Sequence, residues 1–414
     1  MFYFRSPHHL AKNTLAEGIR TLMPSHARSD GLQDSMDMHA KYPAISDLKT
    51  KARKRIPHFV WEYLDSGTGD ETTLRRNQSQ LEALKFLPSI LHGEFTPDLS
   101  TQLLGRDYPV PFGIAPVGMS GLIWPGAEQM LARTAAREGI PYTISTVATQ
   151  TPEDVADHHG GQGWFQIYPP RDKKIRMDML TRAKAAGFHT LVMTVDVPVA
   201  SRRERQTRGG LVQPPRLTPR LAMQAAMRPQ WLMGIAKTGM PRMKLMDSYA
   251  EQKTALPSNQ HVGYLLRTSP DWDYVNALRD EWDGPLIVKG VMNPDDAPGL
   301  EQAGVDAIWI SNHAGRQFDA GPATIEQLPA IRAATTLPII LDSGVSTGLD
   351  IMRAIALGAN FVMMGRAFHY GLAVCGEAGA SHVVDILRQD MTANMGQLGT
   401  RNLNALKDRI WQPR

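Results

Sequence analysis

Cysteine is almost absent from this chain of 414 residues, which contains only Cys375. One cysteine can form neither a disulfide framework nor a cysteine-based zinc site, so small secreted scaffolds are excluded and a reducing compartment is favoured. Long apolar runs are also missing. The longest uncharged window that we find, residues 108–127, contains four prolines and four glycines, which a lipid-exposed spanning helix would not tolerate. We therefore predict no transmembrane helix.

The first 38 residues differ in character from the rest of the chain. They contain scattered basic and polar residues and lack the apolar core of a signal peptide, so we expect a cytoplasmic protein. A basic start weakly resembles an organellar transit peptide. An upstream start codon, with Met36 or Met38 nearer the true start, explains the same residues more simply. We predict that residues 1–38 lie outside the fold and that residues 39–414 form the folded unit.

Positive charge is concentrated in one segment. The formal net charge is +4, and residues 205–246 hold eight basic residues and no acidic one, which leaves −4 for the rest. Two interpretations stay open: an amphipathic stretch lying peripherally on an anionic membrane, or an excursion folded over its own protein. No nucleic-acid recognition motif is present, and the negative remainder argues against such a partner. The interleaved apolar residues are Leu221, Met223, Met227, Trp231, Leu232, Met233 and Ile235.

Eight short apolar runs alternate with stretches of helical length from Pro111 onward. Continuous apolar strands are typical of a sheet buried on both faces, and strand–helix alternation indicates parallel order. A doubly wound sheet would need an early G-x-G-x-x-G after a strand, which is missing. We therefore predict an α/β fold, a closed (β/α)8 TIM barrel. The runs are Phe112–Ala115, Tyr142–Ser145, Trp164–Tyr168, Thr190–Val195, Leu286–Val288, Ala307–Ile310, Pro338–Leu341 and Phe361–Met364.

The basic segment falls between the fourth and fifth predicted strands, where a short crossover would suffice. Residues 205–262 are thus a basic amphipathic insertion, and a helical pattern resumes at Asp271–Trp282. An N-terminal helical extension precedes the barrel, with a plausible helix cap at residues 43–47. Gly376–Met395 and Asn402–Trp411 are expected to close the chain as helices.

Polar residues at barrel strand ends are the candidates for chemistry, because active sites of such barrels lie at the carboxyl ends of the strands. Lys289 lies inside the apolar fifth run, where an unpaired ammonium would cost several kcal/mol. It is either a structural ion-pair partner or a cation fixed beside a group that becomes anionic during turnover. The sixth run leads into His313 and Arg316, which combine a group that titrates near neutrality with a carboxylate clamp.

Asp196, at the end of the fourth run, could cap a loop or hold the His313 ring in one tautomer and stabilise its imidazolium form. The seventh run ends in Asp342-Ser343-Gly344 and the eighth in Gly365-Arg366. Glycine and arginine at these two ends suit the phosphate site that barrels commonly build there.

Together, segments 311–319 and 342–348 resemble the FMN-dependent 2-hydroxy-acid dehydrogenase and oxidase family, which includes glycolate oxidase, flavin L-lactate dehydrogenases and mandelate dehydrogenase. The resemblance spans roughly Tyr42 to Trp411. It implies a barrel that holds FMN at the strand ends and oxidises a small (S)-2-hydroxy acid, L-lactate-like, to the 2-oxo acid. The family also suggests a homo-oligomer, a tetramer, and a membrane-contacting insertion where the basic segment lies.

The resemblance assigns roles to individual residues. His313 matches the active-site base, Asp196 its orienting partner, and Arg203 with Arg316 the substrate-carboxylate clamp. Tyr63 and Tyr168 match substrate-side tyrosines, and Lys289 matches the lysine near the flavin N1–O2 edge. The residues that match flavin contacts are Pro116, Val117, Gly118, Ser145, Gln166, Thr194, Asp342, Ser343, Gly344, Gly365 and Arg366.

Three residues depart from the family pattern. Ser346 replaces an arginine that commonly binds the FMN phosphate, Ala314 replaces a glycine, and Val147 replaces a tryptophan often found over the substrate. Gly118 resembles the dehydrogenase branch, so a quinone or another carrier is the expected electron acceptor. The alternatives are an oxidase that uses O2, a flavin-binding barrel that no longer turns over, and a flavin-assisted isomerase, which would not need the carboxylate clamp.

Overall fold

The structure is a computed structural model that describes residues 37–211, 218–249 and 269–412. Most of the predicted 1–38 extension and part of the insertion lie outside the described residues, and the described residues from Ala44 onward form one compact unit. Between Ala44 and the barrel, the structure has the helices α1 (Ile45–Arg55), α2 (His58–Asp65) and α3 (Thr72–Ala83). The predicted cap of α1 is present, since the Asp47 carboxylate accepts the Ala44 N–H at 3.0 Å.

An antiparallel hairpin, β1 (Thr101–Leu103) and β2 (Arg106–Tyr108), follows these helices and was not expected from the sequence. Its turn residues Leu104 and Gly105 both have positive φ, 52° and 74°. Tyr108 is buried and its ring meets that of Phe361 edge to face at 5.3 Å. The hairpin therefore packs against the barrel interior.

Eight parallel strands form a closed barrel in which neighbours in sequence are neighbours in space and the last strand pairs with the first. All eight predicted runs are strands, so the predicted (β/α)8 fold is confirmed. Every barrel strand residue but one, Gly290, is buried, as the continuous apolar runs require. The strands are β3 (Phe112–Ile114), β4 (Tyr142–Ser145), β5 (Gly163–Ile167), β6 (Thr190–Thr194), β7 (Leu286–Val291), β8 (Ala307–Ile310), β9 (Ile339–Leu341) and β10 (Phe361–Met364).

Helices lie between the strands and after the last one. The two segments predicted as helices at 152–158 and 295–303 each consist of a short α-helix and a 3-10 turn. The predicted last helix is a 3-10 helix, Leu403–Arg409. The remaining helices are α4 (Ser120–Ile123), α5 (Ala127–Glu138), α6 (Pro152–Val155), α7 (Lys173–Ala185), α8 (Glu204–Gly209), α9 (Pro219–Ala226), α10 (Pro229–Thr238), α11 (Lys244–Asp247), α12 (Trp272–Glu281), α13 (Ala297–Gln302), α14 (Thr324–Ala334), α15 (Gly348–Ala356) and α16 (Arg366–Leu398).

Helices α8 to α11 belong to the insertion. One face of the insertion packs against the helices near the start of the barrel. The Trp231 indole N–H donates to the Leu122 carbonyl at 2.9 Å, and its ring lies edge to face with Phe59. The opposite face exposes Met223, Met227, Leu232, Met233 and Met240. The folded interpretation therefore holds for one face of the insertion. No helix in the described ranges is long and apolar enough to cross a bilayer.

Candidate active site

The carboxyl ends of the barrel strands open into a cavity of about 1090 Å³. All predicted site residues line this cavity except Asp196 and Ser145, which lie directly behind its wall. Ser145 donates its hydroxyl to Gln166 Oε1 at 2.8 Å, so it positions a lining residue instead of lining the cavity itself. Sequence positions from 63 to 366 are thus brought to one mouth of the barrel.

His313 and Asp196 form a partly buried pair at this mouth. His313 Nδ1 lies 3.0 Å from Asp196 Oδ1. A carboxylate only accepts hydrogen bonds, so Nδ1 carries the proton and Nε2 is left with a free lone pair. Burial lowers the pKa of His313, helped by the charges of Lys289 and Arg203 and opposed by Asp196. Burial favours the neutral form of Asp196, but the charges of His313 and Lys289 outweigh it and hold the pKa of Asp196 below its ordinary value.

The backbone around His313 is held in an uncommon conformation. His313, Ala314 and Gly315 all have positive φ, at 54°, 55° and 69°. The Ala314 N–H donates to Ser343 Oγ at 2.9 Å, and Asn312 Oδ1 accepts the Gly315 N–H at 3.2 Å. Ala314, where the family pattern has glycine, therefore occupies a left-handed position that costs an L-residue about 1 kcal/mol or more.

Lys289 projects from the interior of β7 between two carboxylates. Its Nζ lies 3.2 Å from Asp342 Oδ2 and 3.9 Å from Asp196 Oδ2, and it donates to Ser311 Oγ at 2.7 Å. The ammonium is therefore ion-paired, and it also lines the cavity. Its place beside a group that becomes anionic during turnover stays a prediction.

Gly290 follows Lys289 at a β-bulge, with φ 108°. A Cβ on this residue would lie 2.6 Å from the Cβ of Asp196 and 2.8 Å from its backbone nitrogen, which is closer than real atoms approach. Only glycine therefore fits behind the carboxylate that supports His313.

Three guanidinium groups, those of Arg203, Arg316 and Arg366, line the same cavity. Arg316 donates to the carbonyl oxygens of Tyr63 and Ser66 at 2.7 and 2.9 Å, and Arg366 shares the Ser66 carbonyl at 3.0 Å. Burial, with Arg203 and Arg366 nearby, holds the pKa of Arg316 well below its ordinary value. Within the described ranges no carboxylate lies at ion-pair distance from any of the three. The positive charge of these three side chains is therefore not neutralised by a carboxylate of the described residues.

Two tyrosines line the cavity beside these guanidinium groups. Tyr63 donates its hydroxyl to the Gly118 carbonyl at 2.8 Å and lies under the Arg316 guanidinium, 5.4 Å from ring centroid to Cζ. Burial, together with the charge of Asp196, raises the pKa of Tyr168, so its phenol stays protonated. A protonated phenol can donate a hydrogen bond to a bound anion.

Another part of the cavity wall presents buried polar atoms for which the described residues offer no hydrogen-bond partner. Gln166 Nε2 and Thr194 Oγ1 are buried, and no hydrogen-bond partner for either lies in the described ranges. Ser145 fixes the Gln166 amide from behind. With Lys289 they form a polar edge of the kind that the pyrimidine ring of an isoalloxazine requires, so the residues present fit a bound FMN.

Sequence reasoning missed three supporting residues. Ser311 accepts from Lys289 and also from the His313 N–H at 3.1 Å, and Trp309 donates its indole N–H to Asp342 at 3.0 Å. His369 lies 2.8 Å from both the Gly365 carbonyl and Ser120 Oγ, and burial lowers its pKa to about 4. Ser311 and His369 are buried polar residues, which is a weak signal, whereas Trp309 belongs to the hydrophobic core and gave none.

A (β/α)8 barrel with a base, an anion pocket and a flavin-compatible wall at one mouth defines a flavin-dependent oxidoreductase. Comparison with known proteins gives the family, since the FMN-dependent dehydrogenase profile matches residues 52–413. The chain belongs to the FMN-dependent dehydrogenase family, and FMN is its cofactor. The resemblance inferred from segments 311–319 and 342–348 is thereby confirmed.

Individual relatives agree with the family assignment. The chain is 38% identical over 366 residues to the L-lactate dehydrogenase of Ectopseudomonas mendocina (strain ymp), covering 87% of this chain and 96% of that protein. It is 37% identical over 366 residues to the L-lactate dehydrogenase of Yersinia pestis (strain Pestoides F), and the match covers 87% of this chain and 95% of that protein. The crystal structure of the monotopic membrane protein (S)-mandelate dehydrogenase superposes with a TM-score of 0.85 at 31% identity, covering 89% of this chain and 99% of that one.

Proposed function

We propose that this protein oxidises an (S)-2-hydroxy acid, L-lactate-like, to the corresponding 2-oxo acid and passes the electrons to a quinone or another carrier. One observation carries the proposal: His313, which is hydrogen-bonded to Asp196 behind it, faces the same cavity as the guanidinium groups of Arg203 and Arg316. A 2-hydroxy acid has a carboxylate next to its reacting carbon, so a proton acceptor and a carboxylate clamp are what its oxidation needs.

Each residue has a role that follows from its surroundings. Arg203 and Arg316 bind the substrate carboxylate through charge-assisted hydrogen bonds. His313 Nε2 accepts a proton from the substrate, and Asp196 stabilises the imidazolium that results. The Tyr63 and Tyr168 hydroxyls orient the substrate.

When bound, FMN accepts the two electrons that oxidation of the alcohol releases. Gln166, Thr194 and Lys289 would hold its polar edge. Because the ammonium of Lys289 is buried, it would stabilise negative charge at that edge more strongly than water does. Pro116, Val117, Gly118 and the loops that carry Gly344 and Gly365 would line the rest of the ring and its tail.

The substrate side chain lies, in this proposal, against an apolar part of the wall. Val147, where the family often has tryptophan, lines the cavity beside Gly118, and a Cβ on Gly118 would come within 2.7 Å of the Val147 side chain. The absence of a tryptophan supports an acid with an apolar substituent of methyl size or larger. Relatives named for L-lactate and for (S)-mandelate are both compatible with this wall.

We further propose that the exposed face of the insertion contacts a membrane peripherally, at its cytoplasmic side. Methionine and leucine side chains lie there beside exposed Arg220 and Lys237, a combination that suits the headgroup region of an anionic bilayer. A related enzyme is described as a monotopic membrane protein. A membrane-soluble quinone would be accessible from that position. The tetramer stays a prediction.

The decisive experiment is anaerobic mixing of the purified FMN protein with L-lactate, (S)-mandelate and glycolate while the visible absorbance of the flavin is followed. We expect bleaching by at least one of these acids and by its (S) form only. Reoxidation is then compared between a quinone analogue and O2, which separates a dehydrogenase from an oxidase. A flavin that stays yellow with every acid tried would reject the proposal and favour a barrel that no longer turns over.

A further inference from the structure

The loops after β9 and β10 form the end of the cavity where barrels of this kind commonly bind phosphate, and this end is poor in free cations. Ser346 and Thr347 contribute only hydroxyl groups there. The Asp350 carboxylate accepts the N–H groups of Ser346 and Thr347 at 3.0 and 3.1 Å, so the start of α15 is capped by its own acid. Arg366 is turned toward the carbonyl oxygens of Leu64 and Ser66.

The basic residues around this end are mostly paired with carboxylates. They are Arg353 with Asp350 at 2.8 Å, Lys49 with Asp65 at 3.0 Å, and Arg76 with Glu326 at 2.5 Å. Arg75 differs from all of them. Its Nη1 donates to the Asp70 carbonyl at 2.8 Å, and no carboxylate in the described ranges lies at ion-pair distance from it. Arg75, which is exposed, is thus a second guanidinium without a carboxylate partner at this end of the cavity, besides Arg366.

Helix α3 places Arg75 beside the loop that follows β9. A Cβ on Gly344 would lie 2.8 Å from the Asn77 carbonyl carbon, so the loop and the helix are in direct contact. Further along, Arg353 of α15 donates to the Leu84 carbonyl at the end of α3. Leu74, Arg75 and Gln78 share one side of the helix, since positions three and four apart face the same way, and all three line the cavity.

We propose that Arg75, a residue from outside the barrel, binds the phosphate group of FMN and supplies the positive charge that Ser346 does not. The planar guanidinium can donate two parallel hydrogen bonds to phosphate oxygens, and its present partner is a single backbone carbonyl. This inference rests on FMN binding and not on the hydroxy-acid substrate. A protein that holds FMN but oxidises none of the acids would leave it intact.

The test compares two adjacent arginines and two flavins. Full-length protein loaded with FMN or with riboflavin, which lacks the phosphate, is diluted, and the released flavin is read by its fluorescence. We expect Arg75→Gln to raise the Kd for FMN about tenfold or more, because a charge-assisted hydrogen bond is lost, and to leave riboflavin binding unchanged. Arg76→Gln is the matched control. It removes the neighbouring arginine, which is paired with Glu326 and does not line the cavity, so it should change neither affinity.

A second variant tests whether charge, and not helix packing, is what Arg75 supplies. Adding Ser346→Arg to Arg75→Gln should restore FMN binding, because a cation then returns to the same end of the cavity. Equal FMN affinities for Arg75→Gln and Arg76→Gln would overturn the inference. A loss of riboflavin binding equal to the loss of FMN binding would also overturn it, since the effect would then lie in the ring pocket or the fold.

Discussion

His313 Nδ1 and Asp196 Oδ1, 117 residues apart in the chain, lie 3.0 Å from each other at the mouth of the barrel. In the proposed mechanism the neutral imidazole of His313 is the proton acceptor. Burial lowers the pKa of His313, so the neutral form is present at neutral pH. We therefore expect kcat/KM to be constant near neutrality and to fall only as the pH drops below 6.5, the ordinary value. The rate of anaerobic flavin reduction measured against pH checks this.

Asp196→Asn should lower the rate of flavin reduction by about 10²- to 10⁴-fold, because the imidazolium loses its stabilising carboxylate. The carboxylate is also what raises the pKa of His313, so the acidic limb should move to lower pH in this variant. FMN should remain bound. Asp283→Asn, which removes a surface carboxylate paired with Lys184, serves as the control. If the rate falls at the same pH in Asp196→Asn as in the unchanged protein, the Asp196 carboxylate does not influence the pKa of His313.

Lys289→Met should slow flavin reduction by about 10²- to 10³-fold, as expected when a preorganised charge is removed from a buried site. It should also lower the free energy of unfolding by about 3–5 kcal/mol, since the carboxylates of Asp342 and Asp196 lose their buried counter-charge. Stopped-flow reduction of the FMN-loaded fraction separates the two effects. Lys289→Arg keeps the charge and should be much less impaired in rate. Equal rates for the two variants would exclude an electrostatic role.

Ala314→Gly should raise the free energy of unfolding by up to about 1 kcal/mol, because φ is 55° at this residue and glycine adopts that conformation without a clash of Cβ. Thermal unfolding of the two proteins measures the difference. Ala333→Gly, at an exposed position of helix α14, is the matched control and should lower stability by about 1 kcal/mol. If both variants lose stability alike, residue 314 is not strained.

Replacement of Met223, Leu232 and Met233 by glutamate should abolish sedimentation with anionic phospholipid vesicles while flavin reduction is retained. These side chains are 59%, 42% and 60% exposed, whereas the buried Trp231 beside them supports the fold. Point substitutions therefore test membrane contact without uncovering the core. Met177→Glu, at an exposed methionine of α7, is the control. Unchanged vesicle binding by the triple variant would refute the proposed surface.

The barrel could be predicted because its strands are continuous apolar runs, a pattern that few other folds share. The hairpin could not, because its turn places Leu104 at positive φ, where turn-forming sequences usually have glycine or asparagine. Helix α16 was predicted only from residue 376 onward. The first part of this helix is buried on all sides, so its apolar residues show no helical periodicity. The helix is also interrupted at Cys375 and Gly376, whose backbone angles are not helical.

The candidate site was predicted where a polar residue lies at or near the carboxyl end of a barrel strand and faces the cavity, as at His313 and Lys289. Residues that support the site from behind, or that reach it from outside the barrel, were missed. Ser311 and Trp309 are fully buried and do not line the cavity. Arg75 lies on a helix before the barrel, next to a second arginine in the sequence. Which of two adjacent arginines faces inward depends on tertiary contacts that local sequence does not encode.

Gly290 carries no functional group, yet its missing side chain is what leaves room for Asp196. Any substitution there would displace the aspartate and, through it, the imidazole that the aspartate orients. We therefore expect homologues that retain the activity to keep glycine at this position as strictly as they keep the histidine and the aspartate. Which substitutions this centre tolerates depends on the space beside the reacting groups as well as on the groups themselves.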